Sequence, residues 1–146
     1  MRAAAPGTKR HFAATQHYFS MATVEERIGR CEQSIAHIKQ AFALSPRDPL
    51  GFIWHTILGI NEACLGRLDA AIVEFKRGID AGDQTYFSYF YLAGAEAAKG
   101  NDAEAKLALA EARRLIPGLT VKWFTQHYDP ARIWLDGWRK AGLPEE

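Results

Sequence analysis

Apolar residues recur at helical spacing along most of the chain, and glycines interrupt them at regular intervals. In the middle, Ile53, Ile57 and Ile60 follow the three- and four-residue spacing of one helix face until Gly66. A second apolar stripe of the same spacing follows and stops at Gly82. No segment shows the sustained alternation that is typical of a strand. The pattern therefore predicts an all-α protein.

The chain also repeats itself. A shift of 34 residues superimposes five identical pairs, namely Leu58 on Leu92, Glu62 on Glu96, Ala63 on Ala97, Gly66 on Gly100 and Ala71 on Ala105. A shift of 37 residues aligns an upstream copy, in which Glu25, Gly29 and Arg30 match Glu62, Gly66 and Arg67. Each copy contains two helical stripes around a glycine. We therefore predict three repeats, over residues 15–48, 49–83 and 84–118.

Period and residue types together resemble the tetratricopeptide repeat, a helix–turn–helix unit of 34 residues. The family's motif residues are matched in the middle copy by Leu58-Gly59, Gly66, Ala71, Phe75 and Gly78, and in the last copy by Leu92-Ala93, Gly100, Ala105, Leu109, Ala112 and Pro117. Small residues let helix axes approach, and the large ones fill the space between neighbours. The resemblance implies a short right-handed superhelix of three helix–turn–helix repeats, with a concave surface formed by the first helix of each repeat.

Both ends depart from the repeat pattern. Residues 1–14 carry no pattern and are predicted to be a disordered tail. Thr23 and Glu26 have the spacing of a capping box, so the first helix either stops near Ala22 or runs on. Residues 119–146 predict a helical cap that is rich in aromatic residues, with Thr120 capping one helix and Asp129-Pro130 opening the next. Asn101 is predicted to cap the last repeat helix in the same way, and Pro49 to open the first helix of the middle copy.

Composition and residue spacing exclude several classes of function. The chain has 146 residues, is 24% charged and has a formal net charge of +1, which argues against a nucleic-acid partner. Its uncharged stretches fall well short of the roughly 18 residues that a membrane span needs. Cys31 and Cys64 occupy apolar positions and are predicted to be buried thiols in a reduced, cytoplasmic protein. The five histidines show no metal-ligand spacing, and there is no phosphate loop or activated serine. We expect no cofactor, no metal and no enzymatic activity.

The resemblance assigns the inner positions of the repeats to the concave surface. The candidate partner-binding residues there are Phe19, Ile53, Thr56, Ile60, Phe87 and Phe90. The Lys and Asn residues with which some family members grip a terminal carboxylate are missing, so an acidic chain end is not expected as the ligand. The apolar lining predicts either an apolar peptide or helix of a partner, with Phe87 and Phe90 as anchors, or internal filling by residues 1–22, by the C-terminal helix or by a second copy of the chain.

Three shorter strings give a narrower resemblance. They are Leu44–Leu50, Pro117–Val121 and Gly137–Pro144, and they are similar to the C-terminal repeat regions of proteobacterial proteins that begin with a class III adenylate cyclase or a winged-helix domain. The metal-binding aspartates of a cyclase domain are absent from this sequence. The resemblance implies a regulatory remnant without cyclase activity. We therefore expect a protein–protein interaction module, with a self-assembling homo-oligomer as the alternative and a surviving nucleotide cyclase as a third reading.

Overall fold

The computed structural model describes the backbone of residues 6–146, and the side chains of residues 13–18 and 20–146. Over this part of the chain the secondary structure consists of α-helices and connecting turns, without strands. The helices are α1 (Pro6–Arg27), α2 (Cys31–Leu44), α3 (Gly51–Cys64), α4 (Leu68–Asp80), α5 (Phe87–Lys99), α6 (Asp102–Leu115), α7 (Val121–His127) and α8 (Arg132–Ala141). The first six pack as three antiparallel pairs in chain order, and α8 packs on α5.

The same turn joins the two helices of every pair. Gly29, Gly66 and Gly100 have φ values of +76°, +75° and +88°, a left-handed conformation that strongly favours glycine. In each turn the residue after the glycine donates its N–H to the carbonyl five residues earlier, on Glu25, Glu62 and Glu96 respectively. This bond closes a helix end in the Schellman manner. The Glu and Gly identities of the repeat thus mark the two ends of one hydrogen-bonded turn.

Small residues allow the two helices of a pair to approach, as the repeat pattern predicted. A Cβ built on Gly59 of α3 would lie 2.4 Å from the ring of Phe75 on α4. Phe75 is fully buried, so its ring occupies the space that the missing side chain leaves. On α4 itself, Gly78 lies against the Ser88 hydroxyl and the Phe52 carbonyl. Any larger residue at Gly59 would have to displace the aromatic ring at the centre of the second pair.

The hydrophobic core divides at α3. One cluster joins the first repeat to the start of α3 through Ala22, Ile38 and Trp54. The other runs from the end of α3 through the second and third repeats to the C-terminal segment, with Phe75 and Phe90 fully buried in it. The first repeat therefore shares its core with α3, and the junction between α2 and α3 connects it to the rest of the protein.

A disulfide crosses this junction. Cys31 begins α2 and Cys64 ends α3, and their sulfur atoms are bonded with the Cα atoms 6.4 Å apart. The prediction of two buried free thiols is therefore wrong, and the argument for a reduced compartment falls with it. The physical reason is the superhelix: residues 33 apart in sequence occupy neighbouring turns of successive repeats. An ion pair between Arg67 and Glu32, 3.4 Å apart, links the same two turns.

Several helix ends differ from their predicted positions. Helix α1 begins at Pro6 and continues to Arg27, so it includes part of the predicted tail and does not stop at Ala22; residues 1–5 lie outside the described part. The Thr23 hydroxyl donates to the Ser20 carbonyl, which is the bond of a residue inside a helix rather than of a cap.

The predicted caps had mixed outcomes. Thr120 caps α7, as expected, by accepting from the Trp123 N–H at 3.1 Å. Asn101 precedes α6, but its side chain donates to the buried Glu96 carboxylate at 2.6 Å and caps nothing. Helix α8 begins at Arg132, two residues after the predicted proline, and α3 begins at Gly51 rather than at Pro49. An unpaired buried carboxylate costs more free energy than an uncapped, exposed helix end. This explains why the Asn101 side chain bonds to Glu96 instead of capping α6.

We predict that the disulfide stabilises the native state by restricting the unfolded chain. For a loop of this length the expected contribution to the free energy of unfolding is about 3–4 kcal/mol. The double variant Cys31→Ala/Cys64→Ala should lose that amount in urea denaturation. Wild-type protein should show a similar loss in reductant, whereas the variant should not respond to reductant. Wild-type stability that is unchanged by reductant would contradict the prediction.

Candidate functional site

Helix α8 covers the concave surface of the third repeat. The indole of Trp138 stacks on the ring of Phe90, with centroids 3.9 Å apart and planes 10° from parallel, and its Nε1–H donates to the Phe90 carbonyl at 2.8 Å. The two helices touch at glycines: a Cβ on Gly137 would lie 2.5 Å from the Gly94 carbonyl oxygen. Helix α8 thus occupies the part of the concave surface where a helix of a partner protein was one of the predicted ligands.

This packing corrects the prediction for Phe90. Phe90 is fully buried under Trp138 and Phe124, so it is not available as an anchor for a partner. The C-terminal helix was one of the predicted occupants of the concave surface, and it covers the part of that surface that α5 forms. The physical reason is size complementarity: Gly94 leaves a gap on α5, and the rings of Trp134 and Trp138 lie against it.

The aromatic run of α5 is divided among several neighbours. Tyr86 is buried beside Trp123, and Tyr91 packs edge-on against Trp134 of α8. Phe87 is only partly buried: its ring stacks on Tyr86 and meets Tyr128 edge-on, 6.1 Å away. The run is therefore packed mostly against the C-terminal segment, and Phe87 and Tyr91 are its members that line the remaining opening.

What stays open is a concave groove of about 410 Å³ between α1, α3, α5 and the residue that follows α7. Its walls come from Thr23, Glu26, Arg27, Phe52, Ile53, Thr56, Ile57, Ile60, Asp83, Thr85, Phe87, Tyr91 and Tyr128. Below, "groove" means this cavity. Apolar side chains of α3 and α5 form its floor. Its charged residues are Glu26 and Arg27 at the end of α1 and Asp83 between α4 and α5.

The predicted site residues divide as follows. Ile53, Ile60 and Phe87 line the groove and are partly exposed. Thr56 also lines it, but is 5% exposed and shares a 2.7 Å hydrogen bond with the Ser88 hydroxyl, so its hydroxyl joins α3 to α5. The side chain of Phe19 lies outside the described residues.

Asp83 orders the rim of the groove. Its carboxylate accepts from the Thr85 N–H at 2.7 Å, from the Thr85 hydroxyl at 2.6 Å and from the Ser88 N–H at 3.1 Å. These bonds hold the connection between α4 and α5 and satisfy a donor at the start of α5. The repeat family commonly has a proline near this position, and here a carboxylate fixes the turn instead.

A second cavity of about 480 Å³ adjoins the groove, and we call it the C-terminal cavity. It is lined by Glu26, Arg27, Tyr91, Phe124, Tyr128, Asp129, Pro130, Ala131 and Trp134. The first three of these residues and Tyr128 also line the groove, so they form a shared wall between the two spaces. The two cavities are thus neighbouring parts of one concave region.

Burial shifts the pKa values of two ionisable side chains in the shared wall. Burial raises the pKa of Glu26, and the charge of the adjacent Arg27 opposes that shift only in part. Burial also raises the pKa of Tyr91 strongly, and the nearby Glu26 carboxylate adds to the shift. A raised pKa means that the charged Glu26 is poorly solvated where it stands.

Sequence reasoning missed the shared wall. Glu26 and Arg27 belong to it because α1 runs on past Ala22, which was one of the two alternatives for that helix. Tyr128 follows α7 and is 42% exposed, which is high for a large ring beside an apolar cavity. The aromatic richness of the C-terminal segment was the available signal, but it carried no information about which ring would face outward.

Two other kinds of site are absent from the described part of the chain. No helix there is long and apolar enough to cross a membrane. Nor do three or more His, Cys, Asp or Glu side chains come together there in a way that could hold a metal ion.

Solved structures share this fold. The chain is similar to the type III secretion translocator chaperone SycD of Yersinia enterocolitica, with 23% identity over 72% of this chain and 76% of that one, and a TM-score of 0.64. It is also similar to the same chaperone in complex with a peptide of the translocator YopD, with 20% identity over 86% of this chain and 90% of that one, and a TM-score of 0.66. No protein-family model matches the chain, and no curated protein matches it in sequence.

These similarities confirm the fold class, an all-α arrangement of helix–turn–helix repeats with a C-terminal helix. They give no support to the narrower resemblance to adenylate cyclase-associated repeat regions. At this level of identity they establish the fold alone.

We predict that Gly137 is required for α8 to dock. Alanine at an ordinary helical glycine stabilises a helix by up to about 1 kcal/mol. Here the added Cβ would meet backbone of α5, so Gly137→Ala should instead lower the free energy of unfolding by about 1–3 kcal/mol. Urea denaturation followed by tryptophan fluorescence would measure this. Gly118→Ala is the control, because nothing lies within 4 Å of its Cβ. A stabilised Gly137→Ala variant would contradict the docking described here.

Proposed function

We propose that this chain is a non-catalytic adaptor that binds a peptide segment of a partner protein in the groove. The observation that carries the proposal is the groove itself, about 410 Å³ with a floor of Ile53, Ile60 and Phe87 that α8 leaves uncovered. Concave, mostly apolar surfaces on a rigid scaffold are where proteins take up peptides and small ligands.

The comparison with SycD supports the same function. That chaperone, whose fold this chain shares over 86% of its length, has been solved with a translocator peptide bound. A fold that accommodates a peptide in one protein provides a suitable scaffold for it in another, although the side chains that contact the peptide differ. We propose a protein or peptide partner for this chain on that basis, and no nucleic acid, membrane or cofactor.

The scaffold is suited to such a ligand because it is already ordered. The disulfide, the Thr56–Ser88 hydrogen bond and the bonds to Asp83 fix the elements that line the groove. Binding would then require ordering of the peptide alone, which reduces the entropic cost of association. Burial of two or three apolar side chains of the peptide would contribute about 3–9 kcal/mol before that cost.

A second copy of the chain is the competing occupant. Val24 and Ile28 are each 58% exposed and lie one helical turn apart where α1 ends, since the Ile28 N–H donates to the Val24 carbonyl. Exposed apolar pairs of this kind are typical of contact surfaces. Light scattering across a dilution series separates the two functions: a monomer at all concentrations would exclude the homo-oligomer, and a stable dimer that occludes the groove would exclude the peptide.

We predict that a polar residue on the groove floor weakens peptide binding. Random 12-residue peptides displayed on phage would be selected on the wild type, and the best would be synthesised for fluorescence anisotropy. Ile53→Asn should weaken binding about 10- to 100-fold, because a contact with a buried apolar side chain is worth about 1.5–3 kcal/mol. Val73→Asn is the matched control, since Val73 is 47% exposed on α4 and lies outside the groove lining. Both variants must first show wild-type helical content and melting. Equal binding by both, or no enriched peptide, would refute the proposal.

A further inference from the structure

The shared wall contains a carboxylate that has no partner among the residues that the structure describes. Glu26 borders both the groove and the C-terminal cavity, and it is partly buried. Among the described residues, none forms a hydrogen bond or an ion pair within 4 Å with its carboxylate. Its neighbour Glu25, by contrast, is bonded to His37 at 2.6 Å. Burial raises the pKa of Glu26, which is the consequence expected for a partly buried carboxylate that has no partner among the described residues.

The other charges around Glu26 leave an excess of negative charge. Asp83 has its oxygens occupied by Thr85 and Ser88. Asp129 lines the C-terminal cavity and, like Glu26, has no pairing with the described residues. Arg27 is the one cation of the shared wall, and it is exposed and too far from Glu26 for an ion pair. Two carboxylates that lack a partner in the described part of the chain, the partly buried Glu26 and the exposed Asp129, therefore line the concave region together with one arginine.

We propose that the segment which occupies the groove carries a cationic side chain, Arg or Lys, that pairs with Glu26. The inference rests on the proposed function and adds the chemistry of the partner. Apolar side chains of the peptide would lie on the floor formed by Ile53, Ile60 and Phe87, and the cation would lie at the shared wall, within reach of Asp129 across the C-terminal cavity. An ion pair there also supplies the partner that Glu26 lacks, so the carboxylate acts as a specificity determinant.

The geometry favours this chemistry over a purely apolar ligand. A neutral peptide that covered Glu26 would remove the remaining water from a carboxylate that is already poorly solvated, and that would weaken binding. An acidic side chain at the same place would add like-charge repulsion. A guanidinium or ammonium group instead recovers part of the lost solvation and adds a charge-assisted hydrogen bond.

The test is a double-mutant cycle between Glu26 and one peptide residue. Peptides would be selected from a random 12-residue phage library on wild-type protein and separately on Glu26→Gln. The best wild-type peptide would be synthesised with its cation as arginine and as citrulline, which has nearly the same shape and no charge. Replacement by citrulline should weaken binding to the wild type about 5- to 30-fold and binding to Glu26→Gln less than about 2-fold. Glu104→Gln, at an exposed site outside both cavities, should retain the wild-type ratio.

The possible outcomes separate this inference from the proposed function. Peptides enriched in Arg or Lys on the wild type but not on Glu26→Gln, with the expected coupling, support it. Two results would overturn the inference and leave the adaptor function intact. One is that the selected peptides need Ile53 but carry no cation. The other is that replacing arginine by citrulline weakens binding to the wild type and to Glu26→Gln by the same factor. The absence of any selected peptide overturns both. Glu26→Gln should fold as well as the wild type, because it removes a poorly solvated charge, and urea denaturation checks this.

Discussion

The close approach of α5 and α8 at Gly94 and Gly137 determines which part of the concave surface remains open. Because neither residue has a side chain, the two backbones touch, and Trp138 lies flat on Phe90 with its indole N–H bonded to the Phe90 carbonyl. Without that contact, the inner face of the third repeat would be a continuous aromatic surface. With it, α8 forms one side of the concave region, and the groove is confined to the space between α1, α3 and α5.

The repeat architecture could be predicted because its signal is local. A left-handed turn that bonds a residue to the carbonyl five positions earlier strongly favours glycine, so Gly29, Gly66 and Gly100 mark the three turns directly. The small residue at Gly59 was equally informative, because helices within a pair are neighbours in sequence and their spacing is nearly constant from repeat to repeat. Thr120 gave a correct cap for the same reason: its acceptor and donor are three residues apart.

The features that the sequence did not predict depend on distant contacts. Phe90 and Trp138 are 48 residues apart, and helical periodicity says which residues share a face but not which neighbour covers it. The disulfide was missed because two cysteines in apolar positions are equally compatible with free thiols. Only the stacking of successive repeats brings Cys31 and Cys64 to adjacent turns. For the site, the α3 residues Ile53 and Ile60 and the α5 residue Phe87 follow from the family pattern, whereas the wall formed by Glu26 and Tyr128 required the length of α1 and the course of the chain after α7.

The division of the core gives the junction between α2 and α3 a particular importance for the groove. The wall that carries Glu26 belongs to the first repeat, whose core cluster extends onto α3, whereas Phe87 and Tyr91 on the opposite side belong to the larger cluster. The width of the groove therefore depends on how the first repeat packs on α3, where Ile38 and Trp54 share one cluster. Core packing joins the repeats at both junctions. The second junction also has an ion pair between Lys99 and Asp69, and the first has the disulfide and the Arg67–Glu32 pair. Exposed ion pairs contribute little to stability, so the covalent bond is the restraint that the first junction has beyond its core packing. A covalent bond in that position keeps the two sides of the groove at a fixed separation before any ligand arrives, and preorganisation of this kind raises affinity without adding a contact.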